Sequence, residues 1–171
     1  MVLLIFWSRL LSFLINMHIR KASVPDIALV AEFNLALAAE TENLRLDPGC
    51  VAAGVGALLQ DATKGVYFVA EREGKIIGQV MITYEWSDWR NGNIWWLQSV
   101  YVRPDCRGQG VFAALFNHVR KLAGQDEHVC GLRLYMHEAN QRARCSYERL
   151  GMRQTEYLVF ELNLRAGAGS G

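Results

Sequence analysis

The sequence predicts an α/β fold (α+β in some classifications) in which helices cover both faces of a mixed sheet. Two observations lead to this prediction. A β-hairpin turns at 72–75, and its two strands must pair antiparallel. Over 93–136, a strand, a glycine-rich loop and a helix lead into a buried strand, which is a β-α-β crossover. The 171 residues suffice for one domain with a sizeable core.

The first half of the domain is predicted to form a strand, two helices and the hairpin. Ser23 suits a helix N-cap, and Pro25 suits the first turn of the helix that follows. Asp47 and Pro48 are typical of the start of a second helix. The predicted elements are strand 18–22, helix 23–40, helix 47–64, strand 66–71 and strand 76–84.

The second half contains the most informative stretch of the chain, a strand that runs into a glycine-rich loop. Pro104 ends the strand because it has no N–H to donate. Gly108 and Gly110 allow close approach of a ligand, and Arg107 adds a fixed positive charge. A loop of this kind before a helix suits phosphate or pyrophosphate. The predicted elements are strand 93–103, helix 110–123, strand 131–136, helix 140–150 and strand 156–164.

The two ends of the chain differ in composition from the domain, which we place at 17–164. Residues 1–16 form an apolar extension that is too short for a comfortable membrane span of about 20 residues. Three interpretations stay open: Met17 is the true start, the extension is an extra helix packed on the domain or a partner, or it is a weak membrane-surface anchor. Residues 165–171 are expected to be a flexible tail.

Charge and cysteine usage exclude several classes of function. The net charge is +1, so no nucleic-acid surface driven by bulk charge is expected. The four cysteines are scattered, with no C-x-x-C pair, and the four histidines are not clustered. We therefore expect no metal site, and we expect reduced thiols in a cytoplasmic protein.

Two motifs, in order and about 30 residues apart, resemble those of the GNAT superfamily of acetyl-CoA-dependent N-acetyltransferases. The first is the loop at 107–112, with the sequence RGQGVF, and the second is 140–152, with the sequence NQRARCSYERLGM. The first motif departs from the family pattern at Phe112, where a small residue is usual. The resemblance covers about 18–163 and implies a GNAT-like mixed, mostly antiparallel, twisted sheet of about seven strands with helices on both faces.

The resemblance implies that acetyl-CoA is the co-substrate and assigns residues to it. Arg107 and the loop amides would hold the pyrophosphate, and Asn140 would contact the pantetheine arm. Strand backbone near Val100 and Val102 would pair with that arm as if it were another strand. Tyr147 would protonate the departing thiolate. The expected cofactor-binding residues are Val100, Tyr101, Val102, Arg107, Gly108, Gln109, Gly110, Val111, Phe112, Asn140 and Tyr147.

The general base is the least defined part of the expected site. Many relatives carry an acidic residue at the position of Gln98, and an amide cannot accept a proton at neutral pH. Glu85 is our candidate, with Asp88 as the other nearby acid. A base acting through water, or no base at all, also stays open.

The sequence therefore predicts an N-acetyltransferase that moves acetyl directly to a primary amine of a small molecule, an amino acid or a protein. The alternative is a non-catalytic acyl-CoA-binding, sensor or interaction domain. A homodimer is possible, since dimers are common in the superfamily. Four tryptophans near the expected acceptor cleft are mainly expected to pack, with an aromatic wall for the acceptor as the second interpretation. They are Trp86, Trp89, Trp95 and Trp96.

Overall fold

A computed structural model describes residues 17–162 and 164. The predictions for 1–16 and 165–171 lie outside the described residues. The strands are β1 (Met17–Lys21), β2 (Val66–Arg72), β3 (Lys75–Ser87), β4 (Gly92–Val102) and β5 (Val129–Arg133). The helices are α1 (Ile27–Glu42), α2 (Pro48–Leu59), α3 (Val111–Ala123) and α4 (Gln141–Arg149). Short 3₁₀ turns lie at Val24–Asp26 and Pro104–Cys106.

The sheet has the order β1-β2-β3-β4-β5, and every pair is antiparallel except the parallel pair β4–β5. Helix α3 supplies the crossover between the parallel strands and packs on one face of the sheet. Helices α1 and α2 pack on the other face. The mixed, mostly antiparallel sheet with helices on both faces is therefore confirmed.

The expected number of about seven strands is not found, because the described residues form five. The strand predicted at 156–164 is wrong for the residues described there, which have no regular secondary structure. Tyr157 is 77% exposed and Phe160 is 91% exposed. The local composition favours a strand, but a strand also needs an edge to pair with. No such pairing occurs in the described chain.

Strand β5, which follows the crossover helix, ends earlier than predicted, and a gap opens in the sheet beyond its end. The β4–β5 ladder stops at the pair Trp96–Arg133, although β4 continues to Val102. In the described chain, no strand pairs with the β5-facing edge of β4 from Leu97 to Val102. The two parallel strands thus separate where β4 approaches the glycine loop.

A β-bulge lies in the part of β4 that pairs with β3 but not with β5. Gln79 pairs with Tyr101 and Met81 pairs with Gln98, so two residues of β4 face one residue of β3. The bulged residue Ser99 has a φ of 47°, in the left-handed region. Bulges of this kind bend a strand and increase its twist, and they occur next to active sites.

An ion pair fastens β1 to the turn before α1. The Arg20 guanidinium donates to both oxygens of Asp26, at 2.8 and 3.0 Å, and to Glu71 at 2.9 Å. The Ser23 amide and hydroxyl also donate to Asp26, at 2.7 and 3.0 Å. Arg20 is the main cause that lowers the pKa of Asp26 from 3.8 to about 2. The carboxylate is therefore strongly favoured in the folded chain.

Candidate active site

A cleft of about 680 Å³ opens where β4 and β5 separate. Its lining comes from the last turns of α1, the bulged end of β4, the glycine loop, the start of α3, the segment after β5, and α4. Ten of the expected site residues line it: Val100, Tyr101, Val102, Arg107, Gly108, Gly110, Val111, Phe112, Asn140 and Tyr147. Gln109 and Glu85 do not belong to this lining.

The glycine loop presents backbone donors to the cleft. Gly108 and Gly110 have φ values of 77° and 80°, a conformation that glycine adopts without steric cost. The first hydrogen bond of α3 runs from the Ala114 amide to the Gly110 carbonyl at 3.0 Å, and no side chain caps this helix. The first N–H groups of α3, those of 111–113, consequently have no helical partner, which suits an anion.

Gln109 braces the loop instead of facing the cleft. Its Nε2 donates to the Asp105 carbonyl at 2.9 Å, and its Oε1 accepts from Arg72 at 3.1 Å. Arg72 also donates to the buried Sγ of Cys106 at 3.2 Å. The side chain of Gln109 therefore ties the loop to the end of β2.

Arg107 is held by groups from three parts of the fold. Its Nε donates to the Val102 carbonyl at 2.8 Å, and its Nη2 pairs with Glu40 at 2.6 Å. Its guanidinium also lies 5.4 Å from the centre of the Tyr101 ring. The Tyr101 hydroxyl donates to the other oxygen of Glu40 at 2.9 Å. The positive charge is thus fixed beside the loop by a carboxylate of α1.

Glu40 is a lining residue that the sequence analysis missed. It stands in the last turns of α1, more than sixty positions before the loop, and no local motif marks it. With Leu37, Thr41 and Glu42 it forms the α1 side of the cleft. Only a long-range contact could have identified it.

Tyr147 faces the cleft from α4 and is fixed by an aromatic neighbour. The Phe112 and Tyr147 rings meet at 76° with centres 5.5 Å apart, and Phe112 also packs on Phe116 at 6.1 Å. Burial raises the pKa of the Tyr147 hydroxyl above its usual value. The phenol therefore stays protonated at neutral pH. The departure from the motif at Phe112 supplies the surface on which this phenol rests.

Asn140 is the N-cap of α4. Its Oδ1 accepts from the Ala143 amide at 3.0 Å. No described residue accepts a hydrogen bond from its Nδ2, and Asn140 belongs to the cleft lining. The capping role and a ligand contact are therefore compatible, because they use different atoms of the same amide.

Glu85 lies on the same face of the sheet as Gln98, but outside the cleft lining. Its carboxylate accepts from the indole nitrogen of Trp96 at 2.5 Å and from Arg133 at 3.0 Å. Gln98 does line the cleft, and its Nε2 donates to the Thr83 hydroxyl at 2.6 Å. Among the described lining residues, the carboxylates are those of Glu40 and Glu42.

The four tryptophans do not form one wall. Trp95 contacts Tyr84 on the α3 face of the sheet, with ring centres 6.1 Å apart. Trp96 contacts Tyr135, a lining residue, with ring centres 6.0 Å apart. Trp86 and Trp89 are 60% and 89% exposed. Only Trp96 is thus connected to the cleft through a described aromatic neighbour.

No group of three or more metal-ligating side chains occurs in 17–162. No helix in the same part of the chain is long and apolar enough to cross a membrane.

Comparisons with known proteins agree with this geometry. The model of the acetyltransferase (GNAT) family matches residues 37–152. A possible acetyltransferase from Clostridium difficile 630 superimposes with a TM-score of 0.82 at 43% identity, over 88% of this chain and 99% of that one. The chain therefore belongs to the GNAT family of acetyltransferases.

Two further similarities cover less of the chain or concern the fold alone. Thialysine N-epsilon-acetyltransferase of Bos taurus is 33% identical over 76 residues, and the match spans 44% of this chain and 44% of that enzyme. A predicted acetyltransferase from Clostridium acetobutylicum, solved with acetyl-CoA, has the same fold, with a TM-score of 0.70 and 20% identity over 86% of this chain and 96% of that one.

Proposed function

We propose that the protein transfers acetyl from acetyl-CoA to a primary amine of a small molecule, an amino acid or a protein. The observation that carries the proposal is the convergence of three features on one cleft. They are the unpaired edge of β4, the uncapped start of α3 behind Gly110, and the protonated phenol of Tyr147. Together they suit a linear arm, an anion and a leaving thiolate.

The residues that bind acetyl-CoA in this proposal form the cofactor wall, which comprises 99–102, 107–113, Asn140 and Tyr147. The first amides of α3 bind the pyrophosphate, and Arg107 adds charge beside them. The backbone of 100–102 lies along the pantetheine arm. When bound, acetyl-CoA supplies a thioester whose acetyl carbon is open to attack by an amine.

Tyr147 is the proposed proton donor. The sulfur that leaves the acetyl group needs a proton, and the phenol, whose pKa burial raises above its ordinary value, is protonated at neutral pH. The packing of Phe112 against the phenol ring fixes the direction in which the hydroxyl points. A positioned acid is more effective than solvent, because its orientation is set before the reaction.

Lining residues from α1, β4 and the segment after β5 form the acceptor wall, which comprises Leu37, Glu40, Thr41, Glu42, Gln98 and Tyr135. Glu40 joins this wall to the cofactor wall because it pairs with Arg107, and the carboxylate of Glu42 favours the approach of a cationic amine. The name of the bovine relative refers to an ε-amine, which is a primary amine of the proposed class. Trp96 and Arg133 hold the Glu85 carboxylate outside the lining, so we propose that solvent takes the amine proton and that Glu85 assists only weakly, through water.

The experiment is a coenzyme A release assay with a panel of primary amines. Calorimetry first measures acetyl-CoA binding to the purified chain. Release that depends on both acetyl-CoA and an amine supports the transferase. Tight binding with no release for any amine of the panel would favour the acyl-CoA-binding or sensor domain instead.

We also propose that 17–164 is the catalytic domain of a cytoplasmic protein. Liposome flotation of the full chain, compared with a chain that starts at Met17, tests whether 1–16 adds membrane affinity. Equal behaviour of the two chains removes the anchor interpretation.

A homodimer is a further part of the proposal. The exposed apolar side chains of 157–160 favour an interface with a second copy, because a contiguous exposed apolar segment is typical of protein–protein contacts. Light scattering should give a dimer mass for the full chain and a monomer mass for a chain that ends at Thr155. A monomer in both cases contradicts the dimer.

A further inference from the structure

A series of buried and half-buried amide and hydroxyl groups connects β2 to the bulge of β4, and the proposed reaction does not use it. Gln79 of β3 has no exposed surface. Its Nε2 donates to Asn34 Oδ1 at 2.7 Å and to the Ser99 carbonyl at 3.3 Å. Asn34 of α1 donates in turn to the Tyr67 hydroxyl at 2.9 Å. The series therefore ends at the bulged residue.

The orientation of the Gln79 amide follows from its neighbours. The Ser99 carbonyl can only accept, so the amide nitrogen must face it. The Oε1 of Gln79 is then buried, and no described residue donates to it. A buried oxygen without a donor is unfavourable, and an apolar side chain of similar shape would avoid it. Two hydrogen bonds distinguish glutamine from such a side chain, the one to Asn34 and the one to the Ser99 carbonyl, and only the second reaches the bulge.

Ser99 is the residue that needs to be held. Its φ of 47° lies in a region that residues with a Cβ rarely adopt. Such a conformation persists where surrounding groups stabilise it. Ser99 also lines the cleft and directly precedes the strand edge at 100–102. A change in its conformation would therefore change the direction of that edge.

We propose that Gln79 is a positioning residue, which holds the Ser99 carbonyl and thereby fixes the edge of β4 for the pantetheine arm. This inference rests on the proposed use of acetyl-CoA. In this inference the hydrogen-bonded side chains of Tyr67, Asn34 and Gln79 support cofactor binding without contacting the cofactor, because they act through the backbone of β4.

A double-mutant cycle with Gln79→Met and Ser99→Gly tests the inference. Methionine keeps the volume of glutamine and removes the donor, so Gln79→Met should weaken coenzyme A binding about tenfold in calorimetry. Glycine adopts a positive φ unaided, so in Ser99→Gly the bulge no longer depends on Gln79, and this single variant supplies the reference affinity for the cycle. In the double variant this substitution should recover at least about threefold of the lost affinity.

Val30→Ala is the matched control, because Val30 of α1 is fully buried and belongs to the core between the sheet and helices α1 and α2. It should lower thermal stability and leave the coenzyme A affinity within about twofold of wild type. A second readout needs no ligand. Hydrogen exchange in peptides covering 98–102 should be faster in Gln79→Met than in Val30→Ala.

Two results would overturn the inference. One is a folded Gln79→Met variant with wild-type affinity and wild-type exchange, and the other is strict additivity in the cycle. If the wild-type chain does not bind coenzyme A, the proposed function fails. The exchange measurement then still decides whether Gln79 holds the bulge.

Discussion

The cofactor wall and the acceptor wall of the same cleft are built on different principles. The proposed cofactor wall depends mainly on the backbone of 99–113, with two glycines of positive φ and the start of one helix, and it adds the side chains of Asn140, the N-cap of α4, and of Tyr147. The acceptor wall uses side chains that α1, β4 and the segment after β5 bring together. Backbone groups do not change when a side chain is substituted, so the acceptor wall can vary while the cofactor wall keeps its function.

Tyr147→Phe should have the largest effect on the reaction. Removal of the hydroxyl should lower kcat about 100-fold and leave acetyl-CoA affinity nearly unchanged, because the ring keeps its contact with Phe112. Since the pKa of this phenol is raised, the wild-type rate should fall on the alkaline side only above the ordinary tyrosine value of about 10.

Steady-state rates over the full pH range check this prediction. Tyr84→Phe is the matched control, because Tyr84 packs on Trp95 outside the cleft lining, and it should keep kcat within about threefold. Equal rates of wild type and Tyr147→Phe at every pH would contradict the role of Tyr147.

Asp26→Asn should lower the free energy of unfolding and leave coenzyme A affinity unchanged. The pKa of Asp26 is lowered to about 2, so its carboxylate stabilises the fold above the ordinary value of 3.8. That contribution is lost as the pH falls from about 4 to about 2. The difference from the ordinary value corresponds to about 2 kcal/mol at neutral pH.

Urea unfolding at pH 7 and near pH 2.5 measures this difference. The variant should be less stable at pH 7, and the two chains should approach each other at the lower pH. Exposed Asp88, changed to Asn, is the control and should have little effect. A loss of coenzyme A affinity in Asp26→Asn would contradict the prediction, because it would show that the cleft depends on the Arg20–Asp26 ion pair.

Gly110→Ala tests the backbone character of the cofactor wall. A side chain at a φ of 80° is disfavoured by about 1–2 kcal/mol, so the free loop of the variant should relax to another conformation, and acetyl-CoA should bind about tenfold more weakly because binding must restore the original one. Gly54→Ala is the control. It lies within α2 with open space around an added Cβ, so it should be neutral or stabilising. Calorimetry on both variants is sufficient, and equal affinities would contradict the prediction.

Glu85→Gln should have the smallest effect, with kcat lowered no more than about threefold. The carboxylate is 40% exposed and bonded to Arg133, outside the cleft lining. A rate loss near 100-fold that is recovered at high pH would instead establish Glu85 as the base. Asp88→Asn, which changes the other acid near the end of β3, is measured beside it.

The same contrast explains what could be predicted from the sequence. The loop at 107–112 and the cap at Asn140 depend on neighbours within a few positions, so their residue types are visible in the chain. The pairing of Glu40 with Arg107 joins positions that only the packing of α1 on the sheet brings together. The bulge at Ser99 is likewise a property of two strands in register, and serine gives no signal for a positive φ.

The error at 156–164 has a similar origin. Tyrosine, valine and phenylalanine favour a strand wherever they occur, but strand formation is completed by a neighbouring edge. Composition reports the tendency of a segment and not the presence of that edge. The five described strands all have such neighbours, and their predicted positions agree with the structure to within a few residues.

The gap between β4 and β5 has a consequence for the lifetime of the protein. Where β4 and β5 separate, the backbone N–H and C=O groups on the free edge of β4 are exposed to solvent until a ligand or another strand pairs with them. A ligand that fills such a gap adds about 2.7 kcal/mol of resistance to unfolding at a hundredfold excess over its Kd. The supply of acyl-CoA would then set how long each molecule survives heat and proteases, as well as how fast it works.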